Sequence, residues 1–180
     1  MKILLIVIIS LTLILIFAYG YYGGFKKLNI QITLQGGETV VYEDILGDYR
    51  QTGIVMDKVY YTLLNDYKIE TFKGYGKYID NPKKTETSKL RSEAGCIIEK
   101  KDLESLSGLS VNFNKKILPV EKYITTEFPY KGKISVFFSI MRVYPLLNKF
   151  AKENNMNDTG AVTEIYDIPN KRILYRKEID

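Results

Sequence analysis

The chain begins with an apolar run that is long enough to cross a membrane. Residues 3–17 are apolar except for Ser10 and Thr12, and they include thirteen Ile, Leu, Val and Phe residues. At roughly −0.4 kcal/mol each, these side chains favour insertion by about 5 kcal/mol. A helix that continues to Tyr22 is about 30 Å long, which matches the hydrocarbon thickness of a bilayer. The pattern therefore predicts a transmembrane anchor within residues 3–22, with the lipid bilayer as a partner.

A cleaved signal peptide is the alternative interpretation of this run. The segment Ala18-Tyr19-Gly20 places small residues at the −3 and −1 positions of a cleavage site. A lysine pair at 26–27 follows the run, whereas Lys2 is the only charged side chain before it, so the positive-inside rule favours a cytoplasmic domain. We therefore expect a single-pass membrane protein with an anchor at 1–22 and a cytoplasmic domain at 23–180.

Three segments of the remaining sequence recur in the same order. Val41–Tyr49 aligns with Lys122–Tyr130, Tyr61–Tyr67 with Tyr144–Phe150, and Lys77–Asp80 with Glu164–Asp167. One such match would mean little, but three in order indicate a duplicated unit. We predict two pseudo-repeats, at about 28–99 and 116–179, joined by a polar connector at Lys100–Lys116.

Hydrophobic periodicity predicts strand, helix and two further strands in each repeat. Strands are predicted at Leu28–Leu34, Thr39–Leu46, Glu70–Asp80, Glu93–Glu99, Ile117–Phe128, Thr159–Ile168 and Arg172–Ile179. Gly36-Gly37 is expected to form the turn between the first two. These elements predict an α+β fold, in which duplicated units form a mostly antiparallel sheet with helices on one face, preceded by the transmembrane helix.

Each repeat contains one predicted long helix. The first lies near Tyr49–Tyr67, and the second lies near Lys133–Asn154, where Pro145 is expected to kink or break it because proline removes one helical hydrogen bond. The predicted core stripe of the second helix is Ile134, Phe137, Phe138, Met141, Leu147 and Ala151.

The amino-acid composition excludes several kinds of catalytic and metal-binding site. Histidine is absent and Cys96 is the single cysteine, which excludes Ser-His-Asp and Cys-His nucleophiles, zinc sites built from imidazole or thiolates, and an intramolecular disulfide. We predict no catalytic residue, no metal and no cofactor. The net charge of +5 is spread over scattered lysine pairs rather than one basic element, which predicts no nucleic-acid partner.

Several motifs resemble the GyrI-like small-molecule-binding domain. They are Gly47-Asp48-Tyr49, Tyr78-Ile79-Asp80-Asn81-Pro82, Phe128-Pro129-Tyr130 and Glu164-Ile165-Tyr166. The resemblance covers about residues 28–180, and it implies tandem halves whose strands line a groove for lipophilic and sometimes cationic ligands. Thr126–Tyr130, Arg142–Leu146 and Thr163–Tyr166 are similar to a membrane-anchored subgroup, typified by a testis-expressed ER-phagy receptor, in which a helix precedes such a domain.

Glu164 is the main candidate for a ligand contact. Strand alternation places it on one face with Val162 and Tyr166, and if the other face packs on the helices, Glu164 points into the groove. A carboxylate in an apolar groove is costly unless it is paired, and the resemblance implies a cationic or polar ligand. A glutamate on an edge strand is the alternative. Tyr42 and Tyr123, which correspond in the repeat, either flank the groove or are ordinary core aromatics.

Lys77 is the repeat counterpart of Glu164 and completes the candidate ligand-binding set. If both side chains enter the groove from symmetric strands, with their charged ends within about 4–6 Å, each stabilises the ionised form of the other. The ligand would then be neutral or anionic, or it would be a protein.

The sequence thus predicts a membrane-tethered module that binds an unknown lipophilic small molecule or a protein partner. One alternative is an adaptor that recruits a protein to the membrane; because the chain ends at Asp180 without the recruiting tail of the anchored subgroup, we expect an autophagy-receptor role to lack its key part. A second is a small hydrolase that acts on lipophilic substrates, with Glu164 as base and Tyr166 or Tyr123 orienting it.

Overall fold

The computed structural model describes residues 1–108 and 113–179, which form three α-helices and eight strands. The helices are α1 (Lys2–Tyr21), α2 (Thr52–Tyr67) and α3 (Lys133–Glu153). The strands are β1 (Gln31–Gln35), β2 (Thr39–Leu46), β3 (Lys73–Tyr78), β4 (Arg91–Ile98), β5 (Asn114–Ile117), β6 (Glu121–Pro129), β7 (Val162–Asp167) and β8 (Arg172–Glu178). Part of the predicted connector, at 109–112, lies outside the described residues. The prediction of an α+β fold is confirmed.

All eight strands belong to one antiparallel sheet with the order β1-β6-β8-β7-β3-β4-β2-β5. This order reads as two units, β1-β2-α2-β3-β4 and β5-β6-α3-β7-β8, which meet where β3 pairs with β7. Each unit gives its first strand to the other, since β1 pairs with β6 and β5 pairs with β2. The predicted duplicated units are confirmed, and the second has one strand more than predicted because β5 and β6 are separate strands. The repeat limits 28–99 and 116–179 stay a prediction.

Two short connections force this sheet to curl. β1 and β2 lie six strand intervals apart, which is about 29 Å in a flat sheet, yet residues 36–38 join them and span at most about 14 Å. Residues 118–120 join β5 to β6 under the same constraint. The two connections also bond to each other, because the Gly37 amide donates to the Leu118 carbonyl at 2.8 Å and the Leu118 amide donates to Glu38 at 2.9 Å. Gly36-Gly37 thus lies between the first two strands as predicted, although these strands do not pair with each other.

The inner face of the curled sheet lies under these connections. Leu118 packs there against Val40, Tyr75, Ile97 and Ile165, which are all buried. Polar side chains on this face are paired: Arg176 with Glu38 at 2.5 Å, Lys77 with Glu178 at 2.6 Å, and Lys116 with Glu93. These three inner-face carboxylates thus have cationic partners.

Both α2 and α3 pack on the outer face, so the prediction of helices on one face is confirmed. α2 covers β2 and β4 through Val59 and Leu63, and α3 covers β6 to β8 through Val143 and Leu147. The predicted core stripe of α3 is wrong over its first half. Its buried positions are Ser135, Ser139, Val143, Leu147 and Ala151, whereas Ile134, Phe137 and Met141 are exposed.

The small size of two serines explains why they, rather than the large apolar residues, face the sheet in the first half of α3. Serines at 135 and 139 let the helix approach the sheet closely, and the buried Tyr175 hydroxyl donates to Ser139 Oγ at 2.6 Å. α3 also runs through Pro145 as one helix to Glu153, so of the two predicted effects the break does not occur, and the kink stays a prediction.

α1 precedes the sheet as an unburied helix of 20 residues. By length and composition it is able to cross a membrane, although a signal sequence passes the same test. Its last turn contacts the globular part, where the Tyr19 ring meets the Phe138 ring edge-on with centroids 5.1 Å apart.

The closure of the sheet predicts that Gly36→Ala destabilises the fold. Gly36 has a φ of 122°, and a Cβ there would collide with the Pro119 carbonyl oxygen of the other connection. We expect a loss of about 1–3 kcal/mol or more in the free energy of unfolding, measured by chemical denaturation of the full chain in detergent.

Gly53→Ala in the first turn of α2 is the matched control. Nothing lies within 4 Å of a Cβ at Gly53, so this change should be neutral or stabilise by up to about 1 kcal/mol. Equal stability of the Gly36→Ala variant and the parent would contradict the role given to the connections.

Candidate functional site

A groove of about 1870 Å³ runs between α2 and α3 on the outer face. Each helix covers its own half of the sheet, which leaves the seam between β3 and β7 open as the floor. β3 contributes Gly74 to this floor, and a Cβ there would come within 2.5 Å of Met56 Sδ. The absence of a side chain at Gly74 therefore leaves room for Met56 of α2 above the strand.

Glu164 lies at the floor of the groove and is only 1% exposed. The Tyr144 hydroxyl donates to its Oε1 at 2.7 Å, and the Tyr166 hydroxyl donates to its Oε2 at 2.5 Å. Within residues 1–108 and 113–179, no Lys or Arg forms an ion pair with this carboxylate. Burial raises the pKa of Glu164, and the two tyrosine hydrogen bonds oppose that rise.

Tyrosine rings surround the carboxylate. Tyr78 lies on the floor, where its ring meets Tyr49 with centroids 5.0 Å apart, and Tyr130 meets Tyr166 at 5.9 Å. Burial and the nearby Glu164 carboxylate raise the pKa values of Tyr78, Tyr144 and Tyr166. These phenols therefore stay neutral at physiological pH, so uncharged aromatic side chains surround the Glu164 carboxylate, whereas other charged side chains, among them Asp57, Asp80 and Lys133, also line the groove.

Two of the five predicted ligand-binding residues meet in the groove, and three lie on the opposite face of the sheet. Glu164 and Tyr166 share the outer face, as strand alternation predicted. Lys77, Tyr42 and Tyr123 lie on the inner face: Lys77 pairs with Glu178, Lys116 lies 4.4 Å from the centre of the Tyr42 ring, and the Tyr123 hydroxyl donates to the Pro119 carbonyl at 3.2 Å.

The predicted pairing of Lys77 with Glu164 is wrong because of a one-residue register error. Gly76 is the residue opposite Glu164, and Lys77 is opposite Thr163 on the other face. If Tyr42 corresponds to Tyr123, the strand registers make Tyr78 the counterpart of Glu164. The face of β7 that packs on the helices is also the opposite of the one assumed from the sequence. The Ile165 face was expected to meet the helices, but Ile165 packs on the inner face of the sheet.

Sequence reasoning missed Tyr144 and Tyr78 as site residues. Tyr144 lies on α3 with Val136 and Ile140, which also line the groove at intervals of four residues. That spacing places the three residues on one side of the helix, but it does not show whether that side lines a groove or packs in the core. Tyr78 belongs to a motif quoted for the resemblance, and strand alternation from Gly76 would have placed it on the floor.

Comparison with solved structures identifies proteins of the same fold. The EcmrR–DNA complex in EcmrR-RPo contains a chain with a TM-score of 0.60 and 11% identity, covering 94% of this chain and 65% of that one. SAV2435 bound to tetraphenylphosphonium has a TM-score of 0.55 and 10% identity, covering 84% and 94%. The EcmrR C-terminal domain has a TM-score of 0.54 and 8% identity, covering 86% and 97%.

At these identities the comparison establishes the fold alone. The neighbours are effector-binding domains of the GyrI-like fold, and the chain shares that fold. No protein-family model and no curated protein sequence matches the chain. Membership of the membrane-anchored subgroup stays a prediction.

The prediction that excluded nucleic acid as a partner is wrong as an exclusion. It was argued from the scatter of basic residues, but EcmrR, a protein that contains this fold, is found in a complex with DNA. The chain spans 65% of the EcmrR chain in that complex. A scattered distribution of basic residues is therefore not enough to exclude nucleic acid as a partner of a protein with this fold.

Burial of Glu164 predicts a pH-dependent loss of stability that Glu164→Gln removes. Because its pKa is raised, the folded chain keeps this proton to higher pH than the unfolded chain does. Stability should therefore fall as pH rises from the ordinary Glu pKa of about 4.3 through the raised value, and then level off. At neutral pH Glu164→Gln should unfold at a higher temperature than the parent, by about 2–4 °C for each kcal/mol.

Thermal unfolding across the acid-to-neutral range checks this expectation. Near the ordinary Glu pKa the two proteins should converge, since both then carry a neutral side chain. Glu70→Gln, at an exposed position, is the control and should track the parent at every pH. Parallel curves for Glu164→Gln and the parent would contradict the assignment.

Proposed function

We propose that this chain is a membrane-tethered module that binds a lipophilic cation in the groove between α2 and α3. The observation that supports it most directly is the Glu164 carboxylate, which is buried at the groove floor with two tyrosine hydroxyls as its partners. Since Lys77 lies on the other face of the sheet, the reason to expect a neutral or anionic ligand no longer applies.

The chemistry of the groove favours a positive aromatic or aliphatic ligand. A buried carboxylate without a cationic partner costs several kcal/mol, and a ligand cation would offset that cost. The faces of neutral tyrosine rings attract cations further, by about 0.5–2 kcal/mol each when water is excluded. The apolar groove walls, which include Val136, Ile140 and Met56, would cover the remainder of a lipophilic ligand.

The comparison with SAV2435 supports the same ligand class. That protein is described as bound to tetraphenylphosphonium, a lipophilic cation, and its fold covers 84% of this chain. An open aromatic groove with a glutamate at its floor also favours a ligand over a purely protein-recruiting adaptor. A hydrolase is less favoured, because tyrosine hydroxyls engage both oxygens of Glu164 and the pKa of the buried Cys96 thiol is raised by burial to about 11.

α1 supports the membrane-tethering part of the proposal. It is 20 residues long, and Tyr19, Tyr21 and Tyr22 lie at its end, where aromatic residues favour the membrane–water interface. Lys26 and Lys27 follow, which favours the domain on the cytoplasmic side. The bilayer is thus the proposed partner of α1.

Titration of tetraphenylphosphonium into the full chain tests the ligand class. We expect binding by the parent and a loss of about tenfold or more in affinity for Glu164→Gln, which corresponds to 1.4 kcal/mol or more. Lys77→Ala is the matched control and should bind like the parent, because Lys77 lies on the inner face. Equal binding by Glu164→Gln, or preferred binding of the isosteric anion tetraphenylborate, would exclude the cation site.

Membrane tethering is tested separately in sealed vesicles of known orientation. The chain should resist extraction by alkaline carbonate, and added protease should digest the domain from the cytoplasmic side only. Release of the chain by carbonate, or a mature N-terminus near residue 21, would show that the apolar run is a cleaved signal.

A further inference from the structure

The exposed side of α3 carries an apolar stripe that the fold itself does not use. Ile134, Phe137 and Met141 are 50%, 59% and 59% exposed, and their spacing of three and four residues places them on one helical face. Large apolar side chains concentrated on one exposed face indicate a contact surface rather than a core. These three residues are called the α3 stripe below.

The α3 stripe lies between the groove and α1. On one side of it, Ile140 and Tyr144 line the groove. On the other side, Phe138 packs against Tyr19 of α1, with ring centroids 5.1 Å apart. Apolar side chains of α3 therefore lie on the helix surface between the end of the candidate membrane span and the groove.

Several hydrogen bonds fix α3 beside the end of α1. Arg142 donates to the Gly23 carbonyl at 2.7 Å and to the Lys26 carbonyl at 2.8 Å. Lys131 donates to the Tyr21 carbonyl at 2.8 Å, and its Nζ lies 4.0 Å from the centre of the Tyr21 ring. If α1 spans a bilayer, these contacts hold the first half of α3 at the membrane surface.

The residues around the α3 stripe are those that suit a membrane interface. Lys131 and Lys133 are exposed just before it, and Lys26 and Lys27 follow α1. Basic side chains beside apolar and aromatic ones favour the boundary between headgroups and acyl chains, particularly of anionic lipid. Phe25, 69% exposed, extends the apolar surface.

The duplication provides an internal comparison. α2 occupies the equivalent place in the other half, and its exposed side includes Asp57, Lys58, Asn65 and Asp66 alongside Ile54 and Tyr61. An apolar exposed stripe is therefore not required for packing this kind of helix on this sheet. It distinguishes the helix that lies next to α1.

We propose that the α3 stripe docks into the headgroup–acyl boundary of the bilayer, so that the groove opens at the membrane surface and takes its lipophilic ligand from the lipid phase. This inference rests on the proposed tether and deepens the proposed binding function. It assigns the α3 stripe to one occupant, the lipid surface in which α1 is inserted.

The absence of tryptophan from the sequence gives a direct test. Phe137→Trp puts a single indole in the α3 stripe, and Tyr61→Trp puts one at a position of α2 that is 57% exposed. The full-length variants are reconstituted in vesicles of phosphatidylcholine and phosphatidylglycerol. The indole at 137 should emit at shorter wavelength, be protected from aqueous iodide, and be quenched several-fold more than the indole at 61 by lipids brominated near the top of the acyl chain.

Other outcomes would overturn the docking proposal. Equal iodide quenching at both positions, with no quenching by brominated lipid, would place the α3 stripe in water. Protection from both quenchers that depends on the protein-to-lipid ratio would assign it to a second copy of the chain. Phe137→Asp is a second variant, which should slow uptake of vesicle-dissolved tetraphenylphosphonium severalfold and leave equilibrium binding in detergent unchanged; unchanged uptake would also contradict the proposal.

Docking depends on the tether, but each of the tether, the groove and the docking surface has its own measurement, so failure of one can be told from failure of another. Carbonate extraction of the parent reports on the tether, and tetraphenylphosphonium titration in detergent reports on the groove. Lipid quenching at position 137 reports on docking even if no cation binds. Quenching without cation binding would leave the surface assignment intact and remove the ligand class.

Discussion

The two three-residue connections, 36–38 and 118–120, constrain everything else in this fold. They join strands six intervals apart, so the sheet must curl until its far edges approach, and Gly37 and Leu118 then bond the connections to each other. The curl gives the sheet two unlike faces. The inner face is enclosed and filled by Tyr75, Leu118 and paired charges, which leaves the outer face as the place where both helices pack.

The carboxylates Glu38, Glu93 and Glu164 differ in their partners, and the candidate function follows from that difference. On the inner face Glu38 pairs with Arg176 and Glu93 with Lys116, so burial of charge is compensated within the chain. On the outer face Glu164 has tyrosine hydroxyls as its partners and lies beside a strand thinned by Gly74 and Gly76. A ligand cation would supply the compensation that the inner face finds internally, which is why the groove, rather than the charged interior, is the binding site proposed here.

Duplication makes the two halves alike in topology while their exposed surfaces differ. α2 and α3 both place a valine and a leucine on the sheet, at Val59 and Leu63 and at Val143 and Leu147. Their outward sides differ, since only α3 adjoins α1. The exposed apolar side chains on α3 lie between the end of α1 and the groove, and the repeat alone does not explain them.

The features that depend on local pattern could be predicted from the residues alone: the apolar span, the duplicated units, the α+β class, and the alternation that puts Glu164 and Tyr166 on one face. Long-range contacts were needed where periodicity allows more than one arrangement. A stripe such as Ile134, Phe137 and Met141 shows that a helix has an apolar side, but not whether that side packs on the sheet or stays exposed. Likewise, a repeat alignment wrong by one residue sends Lys77 to the opposite face, because side chains alternate along a strand and only the pairing of β3 with β7 fixes the register.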